Sequence, residues 1–112
     1  YLMAIDAGTG SVRAVIFDTK GNQISVAQKE WVHLEVEGVA NSMTFDTKNN
    51  WELVVWCIKE ALSSAKLNGS NIVALSATSM REGIILYNKE GEALWGVANV
   101  DARANEEVKF LK

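Results

Sequence analysis

Apolar positions along this chain change their period three times, and those changes mark out its elements. Leu2 to Ile5 is a short apolar run ending at Asp6, which predicts a buried strand. Ala7-Gly8-Thr9-Gly10 reads as a turn. Val12, Ala14 and Ile16 alternate with Arg13, Val15 and Phe17, so a second strand follows, largely buried. Asp18 to Gly21 is another turn, and Ile24 and Val26 open a third strand running to about Leu34. Strands joined by tight glycine-bearing turns predict an antiparallel meander. Residues 35–46 keep no clean period and predict a loop.

From about Lys48 the period becomes helical. Leu53, Val54, Cys57, Ile58, Ala61, Leu62 and Ala65 recur at the spacing of one helix face. Asp46 or Thr47 can cap that helix, and Asn68-Gly69 is the stop signal. Ile72 to Ser79 then predicts a buried strand. Gly83–Tyr87 and Ala93–Val97 predict a hairpin around Asn88-Lys89-Glu90-Gly91. A helix begins from Asp101 onward, with Glu106, Glu107, Val108 and Leu111. The turns at 18–21 and 88–91 follow one pattern, Asp or Asn at the entry and Gly at the exit, which reads as two similar hairpins rather than a repeat. The order predicts an α/β arrangement: a meander followed by helix–strand units in a mixed sheet.

Composition narrows the function classes. The chain has 112 residues, 48% of them hydrophobic, enough for one domain with a small core. Its 11 basic and 14 acidic residues give a net charge of −3, with no basic stripe for a nucleic-acid backbone. No apolar run has membrane-spanning length, and no signal-peptide pattern is present. A single cysteine, Cys57, excludes an internal disulfide and fits a cytoplasmic location. It falls on the apolar helix face, so a buried, inert thiol is expected. His33, the one histidine, is expected on a surface strand position, Trp31 as a structural strand residue, and Trp51 and Trp56 packed on or beside the core.

The most informative segment is Asp6-Ala7-Gly8-Thr9-Gly10-Ser11-Val12-Arg13. A strand delivers Asp6 to a turn without bulky side chains. Gly8 and Gly10 allow close approach of backbone N–H groups to an anion. Thr9 and Ser11 add hydroxyls, and Arg13 adds a fixed charge for phosphate oxygens. Asp6 is a hard oxygen ligand suited to Mg²⁺, directly or through water. The lysine and following helix of a P-loop are absent. A glycine turn by itself would be an ordinary hairpin; the whole segment behind a buried strand is more specific. A second cluster, Ser79-Met80-Arg81-Glu82-Gly83, places adjacent charges at the end of an apolar strand, where they need partners or solvent.

The first segment resembles the first phosphate motif of the FGGY carbohydrate kinases, members of the actin–hexokinase superfamily, and the resemblance runs over essentially the whole chain. It implies a ribonuclease-H-like half-domain. It implies ATP and Mg²⁺ as cofactors, with Gly8, Thr9, Gly10, Ser11 and Arg13 on the nucleotide phosphates and Asp6 on the metal. It implies a small polyhydroxylated substrate held by Arg81 and Glu82. Trp95 to Ala104 resembles the family's Trp-Asn-Asp-x-Arg segment. Asp101 and Arg103 match it, while Asn99 stands where most members have Trp and Val100 where Asn is common. Asn99 and Asp101 are therefore substrate candidates, and Asp101 could equally cap the last helix. The substrate should differ from the common pentoses, hexoses and glycerol.

On this reading residues 1–112 are the amino-terminal portion of the family's N-terminal domain. The carboxy-terminal domain, and with it the catalytic base, lies outside them, so this stretch alone should be inactive. Two other readings stay open: an actin-like nucleotide-binding module, which shares Asp6 to Arg13 but has no use for Arg81 and Glu82, and a nuclease with Asp6 and Glu82 as metal ligands. The acidic balance argues against the nuclease.

Overall fold

The computed structural model describes residues 1–112. Its elements are β1 (Leu2–Ala7), β2 (Ser11–Phe17), β3 (Gln23–Glu30), α1 (Thr47–Ser64), β4 (Ala74–Ser79), β5 (Ile84–Tyr87), β6 (Ala93–Val97) and α2 (Asn105–Leu111). They fall into two compact units, residues 1–31 with 48–80, and residues 32–47 with 81–112.

The first unit is built on a mixed sheet of order β3-β2-β1-β4. β1, β2 and β3 form the antiparallel meander, and β4 runs parallel to β1. Alternation along β2 puts Val12, Ala14 and Ile16 on one face, each fully buried. Burying a Val or Ile side chain stabilises by about 1.5–3 kcal/mol, so this short row is a large part of a small core. Helix α1 covers that face. The Ser25 hydroxyl, level with Ile16 in the register, donates to the Ala61 carbonyl at 2.8 Å. The Cys57 thiol points to the Val12 carbonyl at 3.6 Å. Cys57 and Ala61 are fully buried, on the helix face that the apolar spacing predicts. Burial pushes the Cys57 thiol pKa up, so the inert reading holds.

Helix α1 begins at Thr47, which leaves Asp46 at the cap position. It ends earlier than Asn68-Gly69. Leu67 N–H bonds the Leu62 carbonyl and Lys66 N–H bonds the Ser63 carbonyl, with Lys66 at φ +55°. This is a left-handed C-terminal cap built on lysine instead of glycine. Asn68 instead caps the 3₁₀ turn Gly69–Asn71, accepting from Ser70 N–H.

Other expectations change. β3 stops at Glu30, not Leu34, because its partner β2 begins at Ser11, the residue opposite Glu30; Trp31, just beyond, is buried. His33 therefore lies beyond the strand, half-buried, its ring 5.9 Å from that of Phe45. Trp51 is exposed, and Trp56 lies on the surface under the Lys29 ammonium at 4.3 Å. β4 starts at Ala74 and all its residues are exposed, where a buried strand is expected. It is an edge strand paired only with β1, and α1 packs over β2 and β3.

In the second unit β5 and β6 form the expected hairpin. The loop through residues 35–46 is tied by Ser42, fully buried, whose hydroxyl donates to the Val39 carbonyl and accepts from Val36 N–H. Residues 41–45 then run beside β6 and its continuation, through Phe45 N–H to Gly96, Ala98 N–H to Met43 and Ala102 N–H to Asn41. α2 has Ala104 at its N-cap and no side-chain cap bond, so Asp101 does not cap it.

The paired turns at 18–21 and 88–91 match in detail. Asp18 Oδ1 accepts from Lys20 and Asn22 N–H, and Asn88 Oδ1 accepts from Glu90 and Glu92 N–H. Gly21 at φ +86° and Gly91 at φ +83° occupy the left-handed position that requires glycine. The Asn22 side-chain amide, with backbone N–H groups, holds the Asp18 carboxyl below its ordinary value.

Candidate active site

The register of the sheet assembles the first half of the candidate site. Asp6 lies directly across from Arg13 on β2 and directly beside Thr78 on β4, while Arg13 lies across from Gln28 on β3. Cross-strand partners share a face, so Gln28, Arg13, Asp6 and Thr78 form one polar row across all four strands. It lies on the face opposite Val12, Ala14 and Ile16. Arg13 Nε stands 3.2 Å from the Asp6 carboxylate, with both side chains nearly half exposed. The Gln28 side-chain amide reaches Ser11 Oγ at 3.4 Å. Thr78 and Gln28 are site neighbours that sequence reasoning missed; neither lies in a motif, and only the strand register brings them to Asp6 and Arg13.

Gly8, Thr9 and Gly10 make the turn at the end of β1, and Ser11 opens β2. Neither glycine has a left-handed φ. A Cβ on Gly8 would make ordinary contact with the Ser11 carbonyl at 3.5 Å, and one on Gly10 would meet nothing within 4 Å. The fold itself therefore does not demand glycine at position 10. Open space over a bare backbone is what close approach of a ligand needs. Hydroxyls, a guanidinium and one carboxylate around that space are a donor set that suits a magnesium–polyphosphate. No group of three or more His, Cys, Asp or Glu side chains converges on a metal site. A lone carboxylate suits Mg²⁺ bound together with phosphates, because phosphate oxygens and water then supply most of its ligands.

β4 runs parallel beside β1, with Ser79 level with Ala7 and Met80 N–H bonded to the Ala7 carbonyl. Arg81 and Glu82 follow at once, exposed in a turn. Glu82 has φ +65°, a left-handed conformation that costs a non-glycine residue about 1–2 kcal/mol. Strain of this kind at a charged, exposed residue is a pointer to function.

Within the second unit Asn99 is half-buried and Asp101 turns inward, its side chain 8% exposed. Asp101 Oδ2 accepts from Met43 N–H at 2.6 Å and from Arg103 Nη2 at 2.8 Å. Arg103 Nε adds bonds to both oxygens. The Arg103 hydrogen bonds hold the Asp101 carboxyl below its ordinary value, against the opposing effect of burial. Arg103 also lies over the Trp95 ring at 5.6 Å. Asp101 thus ties the 41–43 segment to the 98–103 segment. Residues 44–47 and 93–96 with Leu34 line an open groove of about 370 Å³, which contains none of the predicted substrate residues.

Comparison with known proteins agrees with this architecture. The N-terminal domain model of the FGGY family of carbohydrate kinases matches residues 1–112. An autoinducer-2 kinase from Enterobacter sp. (strain 638) is 60% identical over the whole chain, and one from Photorhabdus laumondii is 58% identical. The chain spans 21% of the length of each. Among solved structures, gluconate kinase from Lactobacillus acidophilus aligns over 97% of this chain and 21% of its own, with TM-score 0.85 and 21% identity. Xylulose kinase from the same organism aligns over 98% of this chain and 22% of its own, with TM-score 0.85 and 22% identity. At such identities the likeness shows the fold, the actin–hexokinase type. No helix is long and apolar enough to cross a membrane. The chain belongs to the FGGY family of carbohydrate kinases, matching its N-terminal domain.

Proposed function

We propose that this chain is the amino-terminal part of a longer enzyme that transfers the terminal phosphoryl group of ATP to a hydroxyl of a small polyhydroxylated substrate. The observation that carries the reading is the Asp6–Arg13 pair beside a glycine turn whose backbone faces open space at Gly10. Backbone N–H groups of the turn, with the Thr9 and Ser11 hydroxyls, hold the nucleotide phosphates. Arg13 turns from Asp6 to a phosphate oxygen, which frees the Asp6 carboxylate for a water or ion on the other side. Asp6 would help hold Mg²⁺ with the nucleotide phosphates, and the ion when bound would neutralise the negative charge that develops on the departing ADP. Positioning and charge stabilisation are most of what such a transfer requires.

Arg81 and Glu82 hold the acceptor, Arg81 donating to its oxygens and Glu82 accepting from its hydroxyls. Asn99 contacts it through hydrogen bonds, in place of the flat apolar wall a tryptophan gives. Asp101 supports that contact from behind, keeping Arg103 against Trp95 and the 98–103 segment in place. An amide at Asn99 suits a short, oxygen-rich chain better than the apolar face of a sugar ring. With the high identity to autoinducer-2 kinases, this favours the linear dihydroxypentanedione signal as acceptor, and the process it belongs to is quorum sensing. The base that removes the acceptor proton lies outside these residues, so residues 1–112 alone are inactive. The enzyme works in the cytoplasm, with the remainder of its own chain completing the nucleotide site.

Arg81→Ala in the full-length protein tests the reading. It should raise the KM for dihydroxypentanedione by about tenfold or more, with the KM for ATP little changed. Turnover of xylulose equal to that of dihydroxypentanedione would move the assignment to a general polyol kinase. ATP hydrolysis indifferent to both acceptor and Arg81 would indicate an actin-like nucleotide-binding module.

A further inference from the structure

One buried side chain grips the glycine turn and has no role in the function proposed above. Trp31 is only 6% exposed. Its backbone N–H donates to the Gly10 carbonyl at 3.1 Å, and its indole Nε1–H donates to the Thr9 carbonyl at 2.8 Å. Two consecutive carbonyls of the turn therefore point at the same residue. Every peptide bond is trans, and in a trans peptide the C=O and N–H point in opposite directions. The N–H groups sharing those two peptide planes belong to Gly10 and Ser11. They are consequently directed away from Trp31. Consecutive N–H groups aimed to one side form an anion-binding concavity.

The Gly10 contact is made by the backbone N–H, so any residue but proline could supply it at position 31. The Thr9 contact is different. It needs a donor at the far end of a wide apolar side chain, which indole provides and phenyl does not.

We propose that Trp31 is a positioning residue of the nucleotide site, its indole N–H setting the Thr9–Gly10 peptide plane so that the turn meets phosphate already formed. The inference rests on the reading of the turn as a phosphate cradle. Pre-set donors cost no reorganisation when the ligand arrives, so their loss weakens binding without removing any contact to the ligand itself.

The test uses the full-length protein and steady-state kinetics with ATP and acceptor varied separately. Trp31→Phe keeps aromatic bulk and removes the donor. It should raise the KM for ATP by about three- to tenfold, leaving the acceptor KM within about twofold. Should the phenyl ring fail to support folding, benzothienylalanine at position 31 keeps the bicyclic shape and replaces N–H with sulfur. The same selective rise is expected. A folded isostere with an unchanged KM for ATP overturns the inference. So does an equal rise for ATP and acceptor, which marks a general packing role. Gly10→Val, which fills the open space, separates the two levels. If it abolishes ATP binding while the isostere has no effect, only the role of Trp31 falls. If it leaves ATP binding intact, the phosphate cradle falls and the role of Trp31 with it.

Discussion

Arg13 Nε lies 3.2 Å from the Asp6 carboxylate because the two residues are direct cross-strand partners in the β1–β2 register. Both side chains are nearly half exposed. An exposed pair of this kind adds at most about 1 kcal/mol to stability, so stability does not account for two charges beside a glycine turn. Arg13→Ala in the full-length protein should leave the Tm within a few degrees of wild type. It should raise the KM for ATP by about tenfold or more, through loss of a charged phosphate donor. Arg13→Lys should recover part of that loss, since a point charge replaces a planar fork. Parallel thermal unfolding and kinetics check both halves.

Two of the three non-glycine residues with left-handed backbones give a paired prediction. Lys66 has φ +55° at the end of α1, and Glu82 has φ +65° in the turn after β4. Glycine at either position relieves about 1 kcal/mol of strain. Lys66→Gly should raise the Tm and leave kinetics unchanged. Glu82→Gly should also raise the Tm, yet raise the acceptor KM by about tenfold or more, because the carboxylate that accepts from substrate hydroxyls is gone. A Glu82→Gly enzyme with normal acceptor kinetics would make Glu82 an ordinary turn residue.

Asp101 connects charge to stability. Arg103 holds its carboxyl below the ordinary range, so the carboxylate binds protons less readily folded than unfolded. Its contribution is therefore present above the ordinary carboxylate pKa of about 4 and is lost as pH falls through the lowered folded value. The Tm should be nearly flat from neutral pH to about pH 5 and drop below about pH 4. Asp101→Ala removes the acceptor of Met43 N–H and leaves Arg103 without its partner, at about 2–3 kcal/mol. Asp101→Asn keeps an acceptor for Met43 and should lose less. It should also show a shallower decline in acid, which a pH series of melting curves measures.

Cys57 is fully buried against β2, and burial pushes its thiol pKa up. Thiolate is the reactive form. Thiol labelling of the native full-length protein at pH 8, read by peptide mass mapping, should leave Cys57 unmodified until denaturant is added. Rapid labelling of Cys57 in the native state would mean that α1 does not cover Val12, Ala14 and Ile16 as described.

Much of the first unit was legible in the sequence because its signals are local. Alternation along β2, the helical spacing of Cys57 and Ala61, and the Asp18-to-Gly21 turn each follow from one stretch of chain. Features set by distant partners were not legible. The end of β3 is set by its partner, since β2 begins at Ser11 opposite Glu30, and Leu34 bonds Thr44 instead of β2. β4 reads as buried because Leu75 and Ala77 are apolar, but its exposure is decided by where α1 packs. Lys66 carries no stop signal; hydrogen bonds to Leu62 and Ser63 end the helix there. At the site, the Asp6–Arg13 segment stands out in sequence, whereas Gln28 and Thr78 join it only through strand register. Asp101 matches a family motif, yet its bonds to Met43 and Arg103 become visible only in three dimensions.

Asp6 bears most directly on the nucleotide cradle. Asp6→Asn keeps the shape of the side chain and removes its charge, and can be assayed in the full-length protein with Mg²⁺ and ATP varied. Phosphorylation of the acceptor should fall by about a hundredfold or more at fixed Mg²⁺, in a protein whose Tm stays near wild type. Wild-type kcat with a wild-type Mg²⁺ requirement in Asp6→Asn would contradict the assignment of the turn after β1 to the phosphates of ATP.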